Sequence, residues 1–300
     1  MSSSSQLPEN ATRRRASPVS VVIPARNAGD TLAEQLDSLA EQALSERFDV
    51  IVADNGSTDQ TADIVADYAD VALDVRRVDA SARSGASYAR NVGAAATEAE
   101  KLLFCDADDI VSPGWVGALA AGLDDHDLAG GPLVFDRTLP DEIDANISGR
   151  RTDGFVVPEG FMPFAPSCNL GVRRTAFDTI GGFCESYRRA EDVDFSWRAQ
   201  VAGFDLGFVP EAAVSYRQRT TYRAVFWQGY HSGHDAPLLQ RNFSRAGLRP
   251  RSRRDTLRQW GWLGTRVPTI VVARRRGMWV RHAGYALGRA AGRLSRRDVT

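Results

Sequence analysis

The strongest constraint on this chain is an alternation that starts at Pro18 and runs to residue 105. Residues 19–23 are a short, β-branched apolar run ended by Pro24, and Leu32, Leu36 and Leu39 then fall at helical spacing within 31–42. A second apolar run, 48–53, is closed by Asp54-Asn55-Gly56. Residues 59–68 follow as a helix with Ser57 or Thr58 available as its cap. A third strand is expected over 71–78, a helix over 86–96 and a fourth strand over 101–105. Strands and helices alternating through short links predict a parallel sheet covered by helices, an α/β fold.

After a helix over 115–123 the rhythm loosens. Residues 136–165 hold many Asp, Gly and Pro residues and read as a variable loop. Order returns with a strand near 169–172, a helix over 175–180, the turn Gly181-Gly182-Phe183, a helix over 192–201 and a strand over 212–216. Asp194 and Arg198, four apart, read as a surface pair. The expected organisation is a polar, disordered arm (1–17), a catalytic unit (18–240) and a basic, helical extension (241–300).

Charge is distributed unevenly over these parts. Residues 241–300 carry sixteen arginines and two acids, a net of +14, which leaves −15 on the preceding 240 residues. No apolar run approaches the roughly 18–20 residues of a membrane-spanning helix. The three N-terminal arginines are not followed by the apolar core of a signal peptide. Cys105, Cys168 and Cys184 lack metal-ligand spacing, which argues against a disulfide scaffold or zinc site. A cytoplasmic location is expected.

In a sheet of this kind ligands bind beyond the carboxyl ends of the strands. Three polar clusters fall there: Pro24-Ala25-Arg26-Asn27, Asp54-Asn55-Gly56-Ser57 and Asp106-Ala107-Asp108-Asp109. Each alone has a bland explanation, as a turn or a helix cap. Together they converge on one crevice. Asp106 and Asp108 suit a hard divalent ion, which takes one or two carboxylates plus substrate phosphates. A body of charge −15 would repel a pyrophosphate unless a cation bridged it, so Mg²⁺ or Mn²⁺ is expected. No GxGxxG follows the first strand, and no P-loop or GxSxG elbow occurs. Dinucleotide oxidoreductases, P-loop NTPases and α/β-hydrolases are thereby disfavoured.

These residues resemble the inverting family 2 glycosyltransferases of GT-A fold, whose sheet is mixed and mostly parallel. The resemblance runs from about Pro18 to about Arg219 as an ordered series: Val21 to Asn27; Asp54-Asn55-Gly56-Ser57-Thr58-Asp59; Ala89-Arg90-Asn91-Val92-Gly93; Phe104 to Asp109; Asn169 to Arg174; Gly181-Gly182-Phe183; and Glu191-Asp192-Val193-Asp194. It implies that Asp54 holds the base and ribose of a nucleotide-sugar, with Pro24 and Arg26 beside it, and that Arg83 reaches the diphosphate. Asp106 would face ribose and metal, Asp108 would ligate the metal, Asp192 would be the general base and Glu191 would bind the acceptor hydroxyl. One departure matters. Where many relatives carry a histidine near the late strand, this chain has Tyr216, so Arg217, Arg219, His231 or His234 is left to serve the diphosphate or metal.

In the extension, Val280, Ala283, Leu287, Ala291 and Leu294 share one helix face, with Arg281, Arg289, Arg293 and Arg296 mostly opposite. Trp260, Trp262 and Trp279 add interfacial aromatics, while Gly284, Gly288 and Gly292 lower helix propensity. Residues 269–297 therefore read either as a helix lying on an anionic membrane surface or as one docked on the catalytic unit. No nucleic-acid motif accompanies the charge. The combined expectation is a metal-dependent hexosyltransferase acting from a nucleotide-diphospho-sugar on a hydroxyl of a glycan or lipid-linked acceptor. Its workplace would be cell-envelope polysaccharide or glycolipid assembly, peripheral on the inner face of the plasma membrane. A sugar-nucleotide nucleotidyltransferase and a non-catalytic glycan- or lipid-binding adaptor are the alternatives.

Overall fold

The computed structural model describes residues 17–42, 48–69, 73–135 and 151–295. The arm 1–16, the loop segment 136–150 and the last five residues, Arg296 among them, lie outside the described residues.

Four parallel strands form as expected: β1 (Val19–Ala25), β2 (Phe48–Asp54), β3 (Val75–Asp79) and β4 (Lys101–Phe104). Between them run α1 (Leu32–Ala40), α2 (Thr61–Ala69) and α3 (Ala86–Ala95). Val19, Val21, Val22 and Ile23 are at most 1% exposed, because helices cover both faces of a parallel sheet, and Ser20 between them is buried with its hydroxyl donated to Asp49. Leu32, Leu36 and Leu39 of α1 are fully buried against this sheet.

Two local expectations are corrected. Pro24 does not end β1, which continues to Ala25 in register with Asp54. Val22 accepts the last bond toward β4, from Cys105, and Pro24 faces that same side where β4 has ended, so its missing N–H costs no ladder bond. The gap opened there becomes the mouth of the crevice. Helix α2 starts at Thr61, where the Asp59 carboxylate accepts the Thr61 N–H at 3.1 Å. Ser57 instead accepts the Asn27 N–H at 2.9 Å, tying the ends of β1 and β2 together.

The second half adds β5 (Ile110–Val111), α4 (Trp115–Asp125), β6 (Leu128–Gly130), β7 (Leu133–Phe135), β8 (Leu170–Arg173), α5 (Arg174–Ile180), α6 (Glu191–Val201), β9 (Leu206–Phe208) and β10 (Val214–Tyr216). The main sheet has the order β3-β2-β1-β4-β8-β6-β9, with β8 antiparallel to both its neighbours. A small second sheet, β5-β10-β7, stands at the carboxyl ends of the strands. Asp194 and Arg198 are not a surface pair. Asp194 is 2% exposed and receives Arg198 Nε at 2.7 Å, while Arg198 also donates to the Ile180 and Gly182 carbonyls. The pair locks the left-handed Gly181-Gly182 turn onto α6.

The C-terminal part is three helices: α7 (Tyr222–Phe243), α8 (Arg253–Thr265) and α9 (Ala273–Leu294). The boundary expected at 240 falls inside α7. Helices α7 and α9 run parallel and touch through glycines. A Cβ at Gly284, Gly288 or Gly292 would meet the Phe226, Tyr230 or His234 carbonyl oxygen at 2.3, 1.9 or 2.1 Å. Cβ atoms at Gly229 and Gly233 would strike the Arg281 and Tyr285 carbonyls at 2.2 and 2.1 Å. Backbones this close exclude any side chain, so the glycines that weaken helix propensity are the docking surface itself. Of the two readings of the extension, docking is realised. The apolar stripe is left partly outside, with Leu287 46% and Leu294 86% exposed. No helix among the described residues is long and apolar enough to cross a membrane.

Candidate active site

A cavity of about 720 Å³ opens in the gap between β1 and β4, under the small sheet. From the first strand end it receives Pro24 and Arg26, from the fourth Asp106 and Asp108, from the start of α6 Glu191 and Asp192, and from the end of β10 Tyr216 and Arg219. Six of the eight residues singled out as site candidates therefore meet in one place.

The group that joins them is Arg90 of α3. It is 2% exposed and donates to Asp106 Oδ1 at 2.6 Å and to Glu191 Oε1 at 3.1 Å. Burial works against its charge, but the two carboxylates outweigh burial and raise its pKa. Arg90 thus ties the acidic strand end to the acidic helix start, whose Glu191 lies 101 residues beyond Arg90. The sequence offered Arg90 only as part of a helical motif, since nothing local announces partners so distant.

Asp192 occupies the first turn of α6, and its Oδ1 accepts the Val193 N–H at 2.8 Å. Burial, then the neighbouring Glu191 charge, push its carboxyl up to about 7. Asp192 lines two spaces, the cavity above and a second one of about 450 Å³ toward α7 and α9. A carboxylate that ionises near neutral pH and borders two ligand-sized spaces has the properties of a general base.

The three acids after β4 divide their tasks. Asp109 is 2% exposed, and its Oδ1 accepts the Arg217 N–H at 2.9 Å, which anchors the end of β10. Burial pushes its carboxyl well up, and Oδ2 has no hydrogen-bond partner. Asp106 and Asp108 turn instead to the cavity, where Arg219 lies 3.3 Å from Asp108. Potential ligand atoms of Asp106, Asp109 and Cys168 lie within 4.8 Å of one another, a set that excludes Asp108. Burial keeps the Cys168 thiol protonated, however, and a neutral sulfur suits a hard ion poorly. Of that set, the carboxylate oxygens of Asp106 and Asp109 are the donors whose chemistry suits a Mn²⁺ or Mg²⁺.

Asp54 and Arg83 do not line this cavity. Asp54, 4% exposed, accepts the Ser57 N–H at 2.8 Å and Arg77 at 2.9 Å. Burial opposes its ionisation, but these bonds hold the carboxyl below its usual range. Arg83 pairs with Glu185 at 3.0 Å in a neighbouring groove, away from Asp106 and Asp108. Near the late strand, Tyr216 and Arg219 reach the cavity, whereas Arg217, His231 and His234 do not line it. Burial pushes the Tyr216 phenol up to about 12, so it enters as a neutral hydroxyl.

The field inside the cavity also differs from the sequence expectation. Six arginines (Arg26, Arg90, Arg188, Arg189, Arg219 and Arg281) face four acids among its lining residues. The body's net charge of −15 is thus not reproduced in the cavity lining, where arginines outnumber acids.

Residues 20–181, from β1 to the turn after α5, match the model for Glycosyl transferase family 2. The chain belongs to that family. Over 236 residues it is 28% identical to the pre-mycofactocin glycosyltransferase of Mycobacterium tuberculosis, covering 75% of this chain and 48% of that protein. It is 27% identical over 198 residues to the glycosyltransferase AglE of Haloferax volcanii, covering 63% and 64%. The chain thus spans about half to two-thirds of the length of these relatives. Among solved structures, it resembles the mannosyltransferase PcManGT from Pyrobaculum calidifontis in complex with GDP-Man and Mn²⁺ (TM-score 0.58, 17% identity, 93% of this chain and 74% of that one). It also resembles TarS 1–349 of Staphylococcus aureus in complex with UDP-GlcNAc (TM-score 0.54, 20% identity, 92% and 91%). The α/β fold with a mixed, mostly parallel sheet is the GT-A fold of these glycosyltransferases.

Proposed function

We propose that this family 2 glycosyltransferase moves a sugar from a nucleotide-diphospho-sugar to an acceptor hydroxyl with inversion at the anomeric carbon. The observation that carries this reading is the position of Asp192, which lines both the cavity with Asp106, Asp108 and Arg219 and a second cavity beside it. Donor and acceptor occupy the two spaces, and Asp192 takes the acceptor proton as the hydroxyl attacks from the face opposite the leaving diphosphate. Glu191, held by Arg90, orients that hydroxyl. Arg219 and Arg26 neutralise charge on the diphosphate, with Pro24 against the nucleoside. Asp54 remains the candidate for the base, acting together with Arg77.

Asp106 and Asp108 would hold a divalent ion, with Asp109 behind them. When bound, the ion would supply Lewis-acid relief for the leaving oxygens. The donors bound by TarS and PcManGT support a nucleotide-sugar substrate, and the Mn²⁺ of the latter supports the metal. For the acceptor we propose a surface glycan or glycolipid handled at the inner face of the plasma membrane. This is supported by exposed Leu257, Trp260 and Leu294 on the arginine-rich helices α8 and α9. The domain reading follows the same lines with its boundary moved out of α7 (Tyr222–Phe243): a catalytic unit from residue 18, and beyond α7 the extension docked on it.

The test is nucleoside diphosphate release from a panel of nucleotide-sugars with Mn²⁺, by the full chain and by Asp192→Asn. No release with any donor, or equal release by the variant once an acceptor is found, would overturn the proposal. Pyrophosphate release from a nucleoside triphosphate and a sugar phosphate would point to the nucleotidyltransferase instead.

A further inference from the structure

The smaller cavity has a composition that the transferase reading does not explain. It is walled by the start of α6, by α7 and by α9, and it meets the donor cavity at Asp192, Arg189 and Arg281. One side is apolar, with Trp197, Leu239 and Leu248. The other carries three guanidiniums, those of Arg189, Arg281 and Arg289, against the two carboxyl groups of Glu159 and Asp192.

Arg289 is 5% exposed, and its Nε has no hydrogen-bond partner. Its remaining contacts are the Gln240 amide oxygen at 3.1 Å, the Tyr285 hydroxyl at 3.5 Å and the Glu159 carboxylate at 3.8 Å. A buried cation held so loosely is costly unless something else compensates it. Neither the Arg189 nor the Arg281 guanidinium makes a hydrogen bond or ion pair among the described residues, and the two repel each other. Arg189 is nevertheless held in place. Its backbone N–H and that of Arg188 both donate to Asp235 Oδ2, at 2.8 and 2.7 Å, and Asp235 on α7 is 1% exposed.

We propose that this cavity is the acceptor subsite and that its acceptor carries a phosphoryl group, cradled by Arg189, Arg281 and Arg289. The inference rests on the transferase reading, which assigns Asp192 as the base, and extends it to the acceptor's chemical class. Guanidinium forks match phosphate oxygens in pairs, and a phosphoryl group offers more oxygens to three forks than a single carboxylate does. The apolar wall takes the carbon skeleton next to the phosphoryl group. Two of the three arginines come from α9, so the C-terminal extension completes the acceptor site, and the glycine seam with α7 brings them within reach of Asp192.

The experiment is calorimetric titration of the full chain, with and without saturating nucleoside diphosphate and Mn²⁺. The probes are glycerol 1-phosphate, glycerol, glycerate and phosphatidic acid in detergent micelles. The expected result is glycerol 1-phosphate binding at least tenfold more tightly than glycerol or glycerate. Arg289→Gln and Arg189→Gln should each lose most of that preference, and Arg289→Lys should keep part of it. Tighter binding of the micellar phosphate assigns a lipid-linked acceptor, and equal binding a soluble one. Either result supports the phosphoryl subsite. Equal affinity for glycerol and glycerol 1-phosphate, equal affinity for glycerate, or a preference unchanged in both Gln variants overturns it. A chain that binds glycerol 1-phosphate through these arginines but never a nucleoside diphosphate would instead overturn the transferase reading and leave a phosphate-binding site. Should Arg289→Gln fail to fold, Arg189→Gln on a different element carries the same comparison.

Discussion

Replacing Asp192 by asparagine tests the site through two independent quantities. Folding holds this carboxyl at about 7 rather than 3.8, roughly three pH units, through burial and the adjacent Glu191. Each unit is worth about 1.4 kcal/mol, so ionising Asp192 within the fold costs up to about 4 kcal/mol, and roughly 2–4 kcal/mol after local relaxation. The sign follows from the raised pKa. The native state binds the proton more tightly than the unfolded chain, so its contribution to stability is fully present below pH 4 and is lost as pH rises through 7. Asparagine removes that penalty. Asp192→Asn should therefore melt with the wild type at pH 4 and above it at pH 8, by about 2–4 °C for each kcal/mol. The same substitution removes the base, lowering transfer about 10²–10⁴-fold. In the wild type, transfer at limiting substrate should rise about tenfold per pH unit below 7 and level off above it. Melting curves at the two pH values and a pH–rate profile measure both effects. A variant no more stable than wild type at pH 8, or one that keeps its transfer rate, refutes the assignment.

Other substitutions probe the supports of the site. Arg90→Met leaves Asp106 and Glu191 without their buried partner and should cost about 3–5 kcal/mol in chemical denaturation; Arg90→Lys, unable to reach both acids as a fork, should rescue little of it. Gly288→Val drives a side chain into the Tyr230 carbonyl and should destabilise by several kcal/mol or release α9 to protease, whereas Gly264→Ala, with nothing within 4 Å, should be near neutral. Asp108→Ala should abolish the Mn²⁺-dependent rise in melting temperature seen with a nucleoside diphosphate, while Cys168→Ala should keep it. Arg83→Ala, which breaks an exposed pair with Glu185, should change donor affinity less than twofold in the same titration.

Much of this molecule was legible because its signals are local. The β-branched run of β1 and the leucines of α1 declare strand and helix within a few residues, and parallel topology follows from their alternation. The strand-end acids were legible for the same reason, since a loop after a parallel strand has one place to go. Strands of two or three residues, such as β5, β6 and β9, were not, because so few residues show no periodicity. Asp194 and Arg198 looked like a surface pair because four-residue spacing is blind to what packs over it.

The sequence by itself determined the four parallel strands β1–β4, the order of their polar ends and the family to which they belong. Tertiary structure decided which of those polar groups act together. Arg90 joins Asp106 to Glu191, Asp109 turns away to hold the end of β10, and Arg83 leaves for Glu185. It also decided the meaning of the C-terminal glycines. Helical propensity counts each of them as a local cost, yet across the seam between α7 and α9 they allow backbone contact that no side chain would permit. The physical reason is range. Propensity and pattern act over one or two turns, whereas charge pairing and close packing depend on groups that meet only when the whole chain has folded.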